Sequence, residues 1–523
     1  MAHPGALDGS HAKDGHPVIA AAARIAIIQG FVGSLLMVAG SVGVGWLATT
    51  SSPLMRTPVF ILARTSPIAV ILCTVLLCIG AILLMRSWLR LAQRIGGFHA
   101  SSRPVLRRAL WMWSAPLMVA LPLFSRDAYA YIGQGRLMMQ GLNPYTNGIS
   151  ALNNYFSLGP DTLWTEAPTP YGPLWLWIEQ GAVWMSGGVP ELSLIPFRLA
   201  ALAGVALLAF YVPRLAALHG VNPDRALWLA VLNPVLLINF IASAHNDSLM
   251  LGLVVAGLYY ASINRPVLGI MLVTASIAIK PITLIALPFA GLLWAGTRAG
   301  WGRRILCWAG TLCLSLGLLA AAGVVNGLGF GWLGALQTPG AVWIWYAPVG
   351  LVLRLVGFGV GLFGGPGAAA SEIVQTIATA VSALAIVWLA VRTPGCGIGM
   401  PTPLDDNREF NKAVLRRMAW AFAAVVILAP VIQPWYMVWL LVFFAMTGIA
   451  DGRELRGVFY LTAFFILIAL TDQLSVFKMW IPLEVVRGVA IVVGVAFIAY
   501  LVFYDKKTHV LFRPRRGILK PKS

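Results

Sequence analysis

The chain has 523 residues, of which 59% are hydrophobic and 11% are charged, whereas soluble domains carry about 25% charged residues. This composition excludes an ordinary soluble domain and indicates a polytopic membrane protein. The formal charge of +19 could suggest nucleic-acid binding, but the basic residues concentrate in alternate loops, as cytoplasmic loops of membrane proteins do.

Taken in chain order, hydropathy predicts a disordered cytoplasmic tail at 1–20, a single transmembrane bundle at 21–503 and a basic cytoplasmic tail at 504–523. Both termini are placed inside, because 28 of the 37 Lys and Arg residues then fall in or beside cytoplasmic segments. About fourteen apolar segments approach the roughly 17–25 residues that cross a bilayer. They are 23–48, 67–85, 109–124, 195–213, 226–243, 248–263, 266–279, 282–296, 305–325, 372–391, 417–432, 437–449, 458–471 and 485–503.

The sequence contains two further apolar runs, Leu174–Met185 and Val349–Phe363. If only one of them crossed the membrane, every loop after it would lie on the opposite side of the membrane. We therefore predict that both are juxtamembrane helices in outer loops, where Trp-rich helices with mixed faces are stable. The alternative is that both runs cross and that only the loops between them invert.

The first outer loop, predicted at 125–194, follows the apolar run that ends at Phe124 and begins with Ser125, Arg126 and Asp127. An ionised acid at a membrane surface is costly, which makes Asp127 a candidate functional residue. A carboxylate in this position can act as a general base toward a hydroxyl group. Asp127 or Ser125 could instead serve only to cap a helix.

Other polar clusters are predicted to emerge on the same outer face. His245, Asn246 and Asp247 occupy a short turn between two apolar segments. They could be ordinary turn residues, or they could bind a phosphate, a metal or a sugar hydroxyl. One His and one Asp do not make a metal site, so no metal ligands are assigned.

Lys280 ends a predicted span, and Gln433-Pro434-Trp435-Tyr436 follows a later one. Lys280 could simply extend to the interface, or it could neutralise a phosphate. Trp435 and Tyr436 could belong to an interfacial aromatic belt or could stack on a sugar. The chain has no GxxxxGK[ST] phosphate loop, and an outward-facing enzyme has no nucleotide sugar, so a lipid-phosphate-linked donor is expected.

These motifs resemble the first outer loop and later loops of the actinobacterial MptA/MptB mannosyltransferases, which are polytopic GT-C glycosyltransferases. The matching residues are Ser125-Arg126-Asp127-x-Tyr129-x-Tyr131-x-x-Gln134-Gly135, Gly141-x-Asn143-Pro144-Tyr145, Pro168-x-Pro170-Tyr171-Gly172-Pro173, Leu232-Asn233-Pro234, His245-Asn246-Asp247-x-Leu249-Met250, Lys280-Pro281 and Gln433-Pro434-Trp435-Tyr436.

The resemblance implies an all-α GT-C-type membrane bundle in the plasma membrane, with its active site on the extracytoplasmic face. It implies transfer of mannose from polyprenyl-phosphate mannose to a mannosylated glycolipid, extending the α-(1→6)-mannan of lipomannan and lipoarabinomannan with inversion. No cofactor is expected to be required, and metal dependence is left open. A polytopic transporter or flippase of lipid-linked sugars is the alternative.

The resemblance also implies roles for individual residues. Asp127 would be the catalytic base. The donor phosphate would be bound by Arg126, His245 and Lys280. Substrate contacts are expected from Tyr129, Tyr131, Tyr171, Asn246, Asp247, Gln433, Trp435 and Tyr436.

Overall fold

A computed structural model describes residues 15–513 apart from 49, 96–97, 99–101, 336–343, 345, 393–405 and 474–480. The described part is helical throughout and contains no strand. Most of the two predicted tails, at 1–14 and 514–523, lies outside the described residues. The first helix begins at Gly15, before the boundary at residue 21 that hydropathy predicted.

The helices are numbered in chain order. The α-helices are α1 (Gly15–Val44), α2 (Pro58–Thr65), α3 (Pro67–Ile95), α4 (Ser102–Leu117), α5 (Asp127–Met139), α6 (Pro173–Met185), α7 (Pro190–Leu218), α8 (Pro223–Ala230), α9 (Pro234–Leu236), α10 (Asp247–Ser262), α11 (Pro266–Ile279), α12 (Leu287–Ala295), α13 (Trp301–Val325), α14 (Trp332–Ala335), α15 (Pro348–Leu362), α16 (Gly367–Val391), α17 (Asn407–Leu428), α18 (Tyr436–Thr447), α19 (Arg453–Asp472), α20 (Leu483–Ala499) and α21 (His509–Phe512). Short 3₁₀ turns lie at Pro53–Arg56, Ile149–Ala151, Tyr155–Leu158, Thr162–Trp164 and Pro281–Ala286, and π-helical turns at Leu237–Ala242 and Tyr500–Tyr504.

The membrane bundle predicted from hydropathy is confirmed. Seven described helices are long and apolar enough to cross a bilayer, and an eighth span is possible if the bent pair Pro223–Ala230 and Pro234–Ala242 crosses as one unit. Five shorter apolar helices of 10–17 residues accompany them. Each predicted span overlaps a helix, but the count of about fourteen stays a prediction.

Helix α4 ends earlier than the predicted span at 109–124, at Leu117. The chain then continues as turns to Arg126. These turns are held by Arg198 of α7, whose guanidinium donates to the carbonyls of Met118 and Ala120. The last carbonyls of α4 accept backbone N–H groups of these turns, as helix ends require, and Arg198 satisfies carbonyls within the turns.

The two helices predicted at the outer interface both form, as α6 and α15. In α6, Glu179 is fully buried, whereas Trp184 is 71% exposed. Gly135 of α5 lies against this helix, since a Cβ there would lie 2.5 Å from the Glu179 carbonyl oxygen. Helix α6 thus packs directly on the helix that begins with Asp127.

The start of α10 packs against α7. The Ser248 hydroxyl donates to the Ala201 carbonyl (2.9 Å), and a Cβ on Gly204 would meet the Ser248 backbone at 2.2 Å. Close approach of two backbones at a glycine is common between membrane helices. This contact fixes the turn at 245–247 within the bundle.

Candidate active site

Asp127 is the first residue of α5, where the chain enters the helix from the turns after α4. Phe124 has a positive φ of 66° just before it. The Ser125 hydroxyl accepts the Asp127 N–H at 3.1 Å. Ser125 therefore satisfies a donor at the helix start, and its side chain also has a hydrogen bond with the Asp127 carboxylate.

The Asp127 carboxylate lies at the edge of a buried polar cluster, with 20% of the side chain exposed. Its Oδ2 is 3.5 Å from the Tyr171 hydroxyl, which donates to it, and 3.4 Å from Nδ1 of His245. Burial raises the pKa of Asp127 above its usual value, against the opposing charge of Lys280. A raised pKa makes the ionised carboxylate a stronger proton acceptor.

The second carboxylate of the cluster, Asp247, is fully buried and carries an ion pair. Lys280 Nζ lies 3.0 Å from both Asp247 oxygens. The Trp439 indole donates to Asp247 Oδ1 at 2.9 Å. A buried pair that has further hydrogen bonds can be stable, while either charge alone would be costly.

His245 lies between the two carboxylates. Its Nδ1 is 3.4 Å from Asp127 Oδ2 and 3.8 Å from Asp247 Oδ2. The ring lies against Trp435, with centroids 4.0 Å apart and planes at 37°. Burial lowers the pKa of His245 to about 3, which favours the neutral imidazole; its expected contact with the donor phosphate stays a prediction.

Aromatic residues enclose the cluster on two sides. Tyr131 packs edge to face on Tyr171, Trp175 and Phe197, with ring centroids 5.1–5.4 Å apart. The Tyr131 hydroxyl accepts the Asn246 N–H at 3.4 Å. Such edge-to-face contacts fix ring positions, so α5, α6 and α7 hold this wall together.

The opposite wall comes from α18 and the residues before it. The Tyr436 and Trp439 rings are in contact, with centroids 4.1 Å apart and planes tilted by 30°. The Lys280 ammonium lies 5.4 Å from the Trp439 ring and 6.0 Å from the Tyr436 ring. Gln433 contributes through its backbone, since its carbonyl accepts the Tyr436 N–H at 3.0 Å.

Two of the predicted site residues point elsewhere. The Arg126 guanidinium lies over the Trp46 ring, 3.6 Å from its centroid. The Tyr129 hydroxyl donates to the Trp46 carbonyl at 2.9 Å, and Tyr129 is fully buried. These contacts tie the start of α5 to the segment after α1, so neither side chain faces the carboxylate cluster.

Trp439 is a site residue that the sequence interpretation missed, because it was counted only as part of an apolar span. Its position carried a signal, since residues four apart on a helix share a face. Trp439 lies four positions after Trp435, and both indoles reach the cluster around His245 and Asp247.

Metal binding remains a separate question. Within the described ranges, no three His, Cys, Asp or Glu side chains are arranged to hold a metal ion. Asp127 and Asp247 do face a common space beside His245, but Asp247 is occupied by Lys280. The expectation that no cofactor is required stays a prediction.

Comparison with known proteins gives consistent matches over most of the chain. The family profile described as alpha-(1->6)-mannopyranosyltransferase, N-terminal domain, matches residues 27–296. The chain is 32% identical to alpha-(1->6)-mannopyranosyltransferase A of Mycobacterium tuberculosis, over 78% of each chain. It is 31% identical to a probable alpha-(1->6)-mannopyranosyltransferase of Mycolicibacterium smegmatis, over 79% of this chain and 77% of the relative.

A third relative, alpha-(1->6)-mannopyranosyltransferase B of Corynebacterium glutamicum, is 26% identical over 90% of this chain and 78% of its own. No solved structure matches the chain. The cluster described above falls largely within residues 27–296, with Trp435, Tyr436 and Trp439 added from beyond that range.

Proposed function

Since the chain belongs to the MptA/MptB family of α-(1→6)-mannopyranosyltransferases and is an α-(1→6)-mannosyltransferase of the membrane, we propose that its donor is polyprenyl-phosphate mannose. We further propose that it extends the α-(1→6)-mannan of lipomannan and lipoarabinomannan, a mannosylated glycolipid acceptor, on the outer face of the plasma membrane. Family membership argues against the transporter or flippase alternative.

The observation that carries this proposal is the different environment of the two carboxylates. Asp247 is tied to Lys280 at 3.0 Å, whereas Asp127 has a hydroxyl and a neutral imidazole beside it. A carboxylate paired with an ammonium is a weak base, while one with a raised pKa is suited to accept a proton near neutral pH. Asp127 therefore takes the proton of the acceptor 6-hydroxyl.

The reaction that follows is a single displacement. The β-linked mannose of the donor is attacked at its anomeric carbon by the acceptor oxygen, and the bond to the lipid phosphate breaks. One base on the attacking hydroxyl and a stabilised leaving group suffice for an inverting transfer. The product carries an α-linkage, and the lipid phosphate leaves with the bonding electrons.

Lys280 is placed to stabilise the leaving phosphate. An ammonium has three N–H donors, and Asp247 accepts from Lys280 through two oxygens. One N–H is thereby left for a phosphate oxygen. Fixed charges directed at developing negative charge are among the strongest catalytic contributions.

Arg126 has a different place in this scheme. Its guanidinium is stacked on Trp46 and is attracted by Asp161. We therefore assign the leaving phosphate to Lys280 first, with Arg126 as a further contact for the lipid-linked substrate.

The direct test is transfer of labelled mannose by the purified protein to a short α-(1→6)-mannoside. Polyprenyl-phosphate mannose should serve as donor, GDP-mannose should not, and the product should contain a new α-(1→6) linkage. Transfer from GDP-mannose without the lipid donor would contradict the proposal.

Topology is tested separately in a cysteine-free background. Asn153 is exposed in the first predicted outer loop, so the thiol of Asn153→Cys should react with an impermeant maleimide on intact cells. Arg453 is exposed in a predicted inner loop. Arg453→Cys is therefore the matched control, and its thiol should react only after the membrane is permeabilised. The reverse labelling pattern would overturn the outer-face assignment.

A further inference from the structure

His245 lies between the two carboxylates of the cluster, in a position suited to orient one of them. The side chain is fully buried, its ring packs against Trp435 at an angle of 37°, and its Nδ1 faces the two carboxylates of the cluster. A neutral imidazole has one N–H and one lone pair. A lone pair on Nδ1 would face the negative oxygens of Asp127 and Asp247, which is unfavourable, so the hydrogen belongs on Nδ1.

The two carboxylates differ in how fully they are already bonded. Asp247 Oδ1 accepts from Lys280 and Trp439, and Oδ2 accepts from Lys280. The Asp127 carboxylate accepts from Tyr171 at Oδ2, over 3.5 Å, and also has a side-chain hydrogen bond with Ser125. The Nδ1–H therefore has a more available acceptor in Asp127, which is also the nearer of the two by 0.4 Å, at 3.4 Å against 3.8 Å.

We propose that His245 is a positioning residue for Asp127, and that its Nδ1–H bonds to Oδ2 and leaves Oδ1 directed at the acceptor hydroxyl. The inference rests on the proposed function of Asp127 as base. Catalytic hydrogen bonds are often long without substrate and shorten in the reacting complex, so a separation of 3.4 Å suits this role. The phosphate contact that the sequence suggested for His245 falls to Lys280.

This role predicts a specific effect on pH dependence. The charged groups that face His245 are Asp127 from α5, Asp247 from α10 and Lys280 from the link between α11 and α12. A donor to the ionised carboxylate stabilises the charged form. Without that donor, the pKa of Asp127 rises, and activity is lost at a higher pH as the solution is acidified.

Two variants separate the donor from the ring. His245→Asn keeps an N–H close to the position of Nδ1 but removes the ring from Trp435. His245→Phe keeps a ring against Trp435 but has no donor. A positioning role predicts that the Asn variant retains much more activity than the Phe variant, whose kcat should fall by about 100-fold, as misplacement of a catalytic group does.

The measurements are kcat, donor KM and the pH profile with polyprenyl-phosphate mannose, together with thermal melting in detergent. The acidic limb of the Phe profile should move to higher pH, while donor KM stays close to wild type. In an Asp127→Asn background, His245→Phe should cause no further loss, because the group that it positions is gone.

The contrary outcomes are distinct. If His245→Phe is near wild type and His245→Asn is impaired, the ring packs on Trp435 and the positioning role is wrong. If donor KM rises in both variants while the acidic limb stays in place, His245 contacts the phosphate instead. If the Asn variant fails to fold, the acidic limb of the Phe variant decides between these two roles. If the Phe variant fails to fold, donor KM of the Asn variant decides: a value near wild type supports the positioning role, and a raised value supports a phosphate contact. An active Asp127→Asn enzyme would refute the proposed role of Asp127 as the base, on which this inference rests, whereas an inactive one would leave that role intact whatever the His245 variants show.

Discussion

Replacing Asp127 by Asn tests the proposed chemistry most directly. The amide has nearly the same size as the carboxylate but cannot accept the proton of the acceptor hydroxyl. General base catalysis contributes about 10²–10⁴-fold, which corresponds to about 3–5 kcal/mol of transition-state stabilisation. We expect kcat to fall on that scale, with the folded protein retained.

The structure explains why folding should survive this change. The start of α5 is supported by Ser125, whose hydroxyl accepts the Asp127 N–H, and the Tyr171 hydroxyl lies 3.5 Å from the carboxylate. Asn caps helices about as well as Asp, and Ala costs about 1 kcal/mol in that role. A base therefore predicts that both Asp127→Asn and Asp127→Ala are inactive, whereas a cap predicts impairment of the Ala variant alone.

The pH dependence of activity tests the same residue in a second way. Burial raises the pKa of Asp127, and the base is competent only when ionised. Activity should be complete above this raised pKa and should fall as the pH drops through it. The acidic limb of kcat/KM should thus lie above the pH at which a solvent-exposed Asp titrates, and it should be absent from the residual activity of Asp127→Asn.

The assay is steady-state transfer from polyprenyl-phosphate mannose to a short α-(1→6)-mannoside, with thermal melting in detergent as the control for folding. Near-normal turnover by a folded Asp127→Asn enzyme would refute the base assignment. A wild-type acidic limb in that variant would show that the pH dependence arises from a group other than Asp127.

Two further predictions concern the surroundings of Asp127. Lys280→Met leaves the fully buried Asp247 carboxylate without its ion pair and should destabilise the fold by about 3–5 kcal/mol. The double variant with Lys280→Met and Asp247→Asn should recover the melting temperature but keep a raised donor KM. A wild-type donor KM in this double variant would show that Lys280 does not contact the phosphate. In Gly172→Ala the new Cβ would lie 2.4 Å from the Ala278 carbonyl oxygen, so overpacking of about 1–3 kcal/mol should lower both melting temperature and activity. Gly181→Ala, with no atom within 4 Å of its Cβ, is the matched control, and equal behaviour of the two alanine variants would contradict the packing argument.

The sequence predicted which polar segments meet, because hydropathy and charge place the predicted outer loops on one face of the bundle. The segments that contain Asp127, Tyr171, His245 and Lys280 do come together. The order of these segments along the chain could not show which side chains form ion pairs. Asp247 and Lys280 are 33 positions apart and meet only through the packing of α10 and α11.

Local pattern could not show which partner a side chain contacts when the partner is remote in sequence. Arg126 is adjacent to Asp127 in sequence, yet its guanidinium is stacked on Trp46. The preference of a guanidinium for an aromatic face is a general one, but the ring that supplies it follows α1 and is remote in sequence. Similarly, Arg198 holds the turns that follow the end of α4 at Leu117, and hydropathy contains no information about that contact.

The arrangement of charges assigns different tasks to two acids that the sequence left equivalent. Lys280 neutralises Asp247 and is in turn held by it, so this pair presents a fixed ammonium with a free N–H toward the leaving group. Within the described part of the chain, no Lys or Arg lies within ion-pair distance of Asp127. A proton acceptor and a phosphate-binding cation can coexist in one small site only if the cation does not neutralise the acceptor. Asp247 prevents this by holding Lys280 in an ion pair, and its loss should therefore weaken Asp127 as a base as well as disturb the donor phosphate.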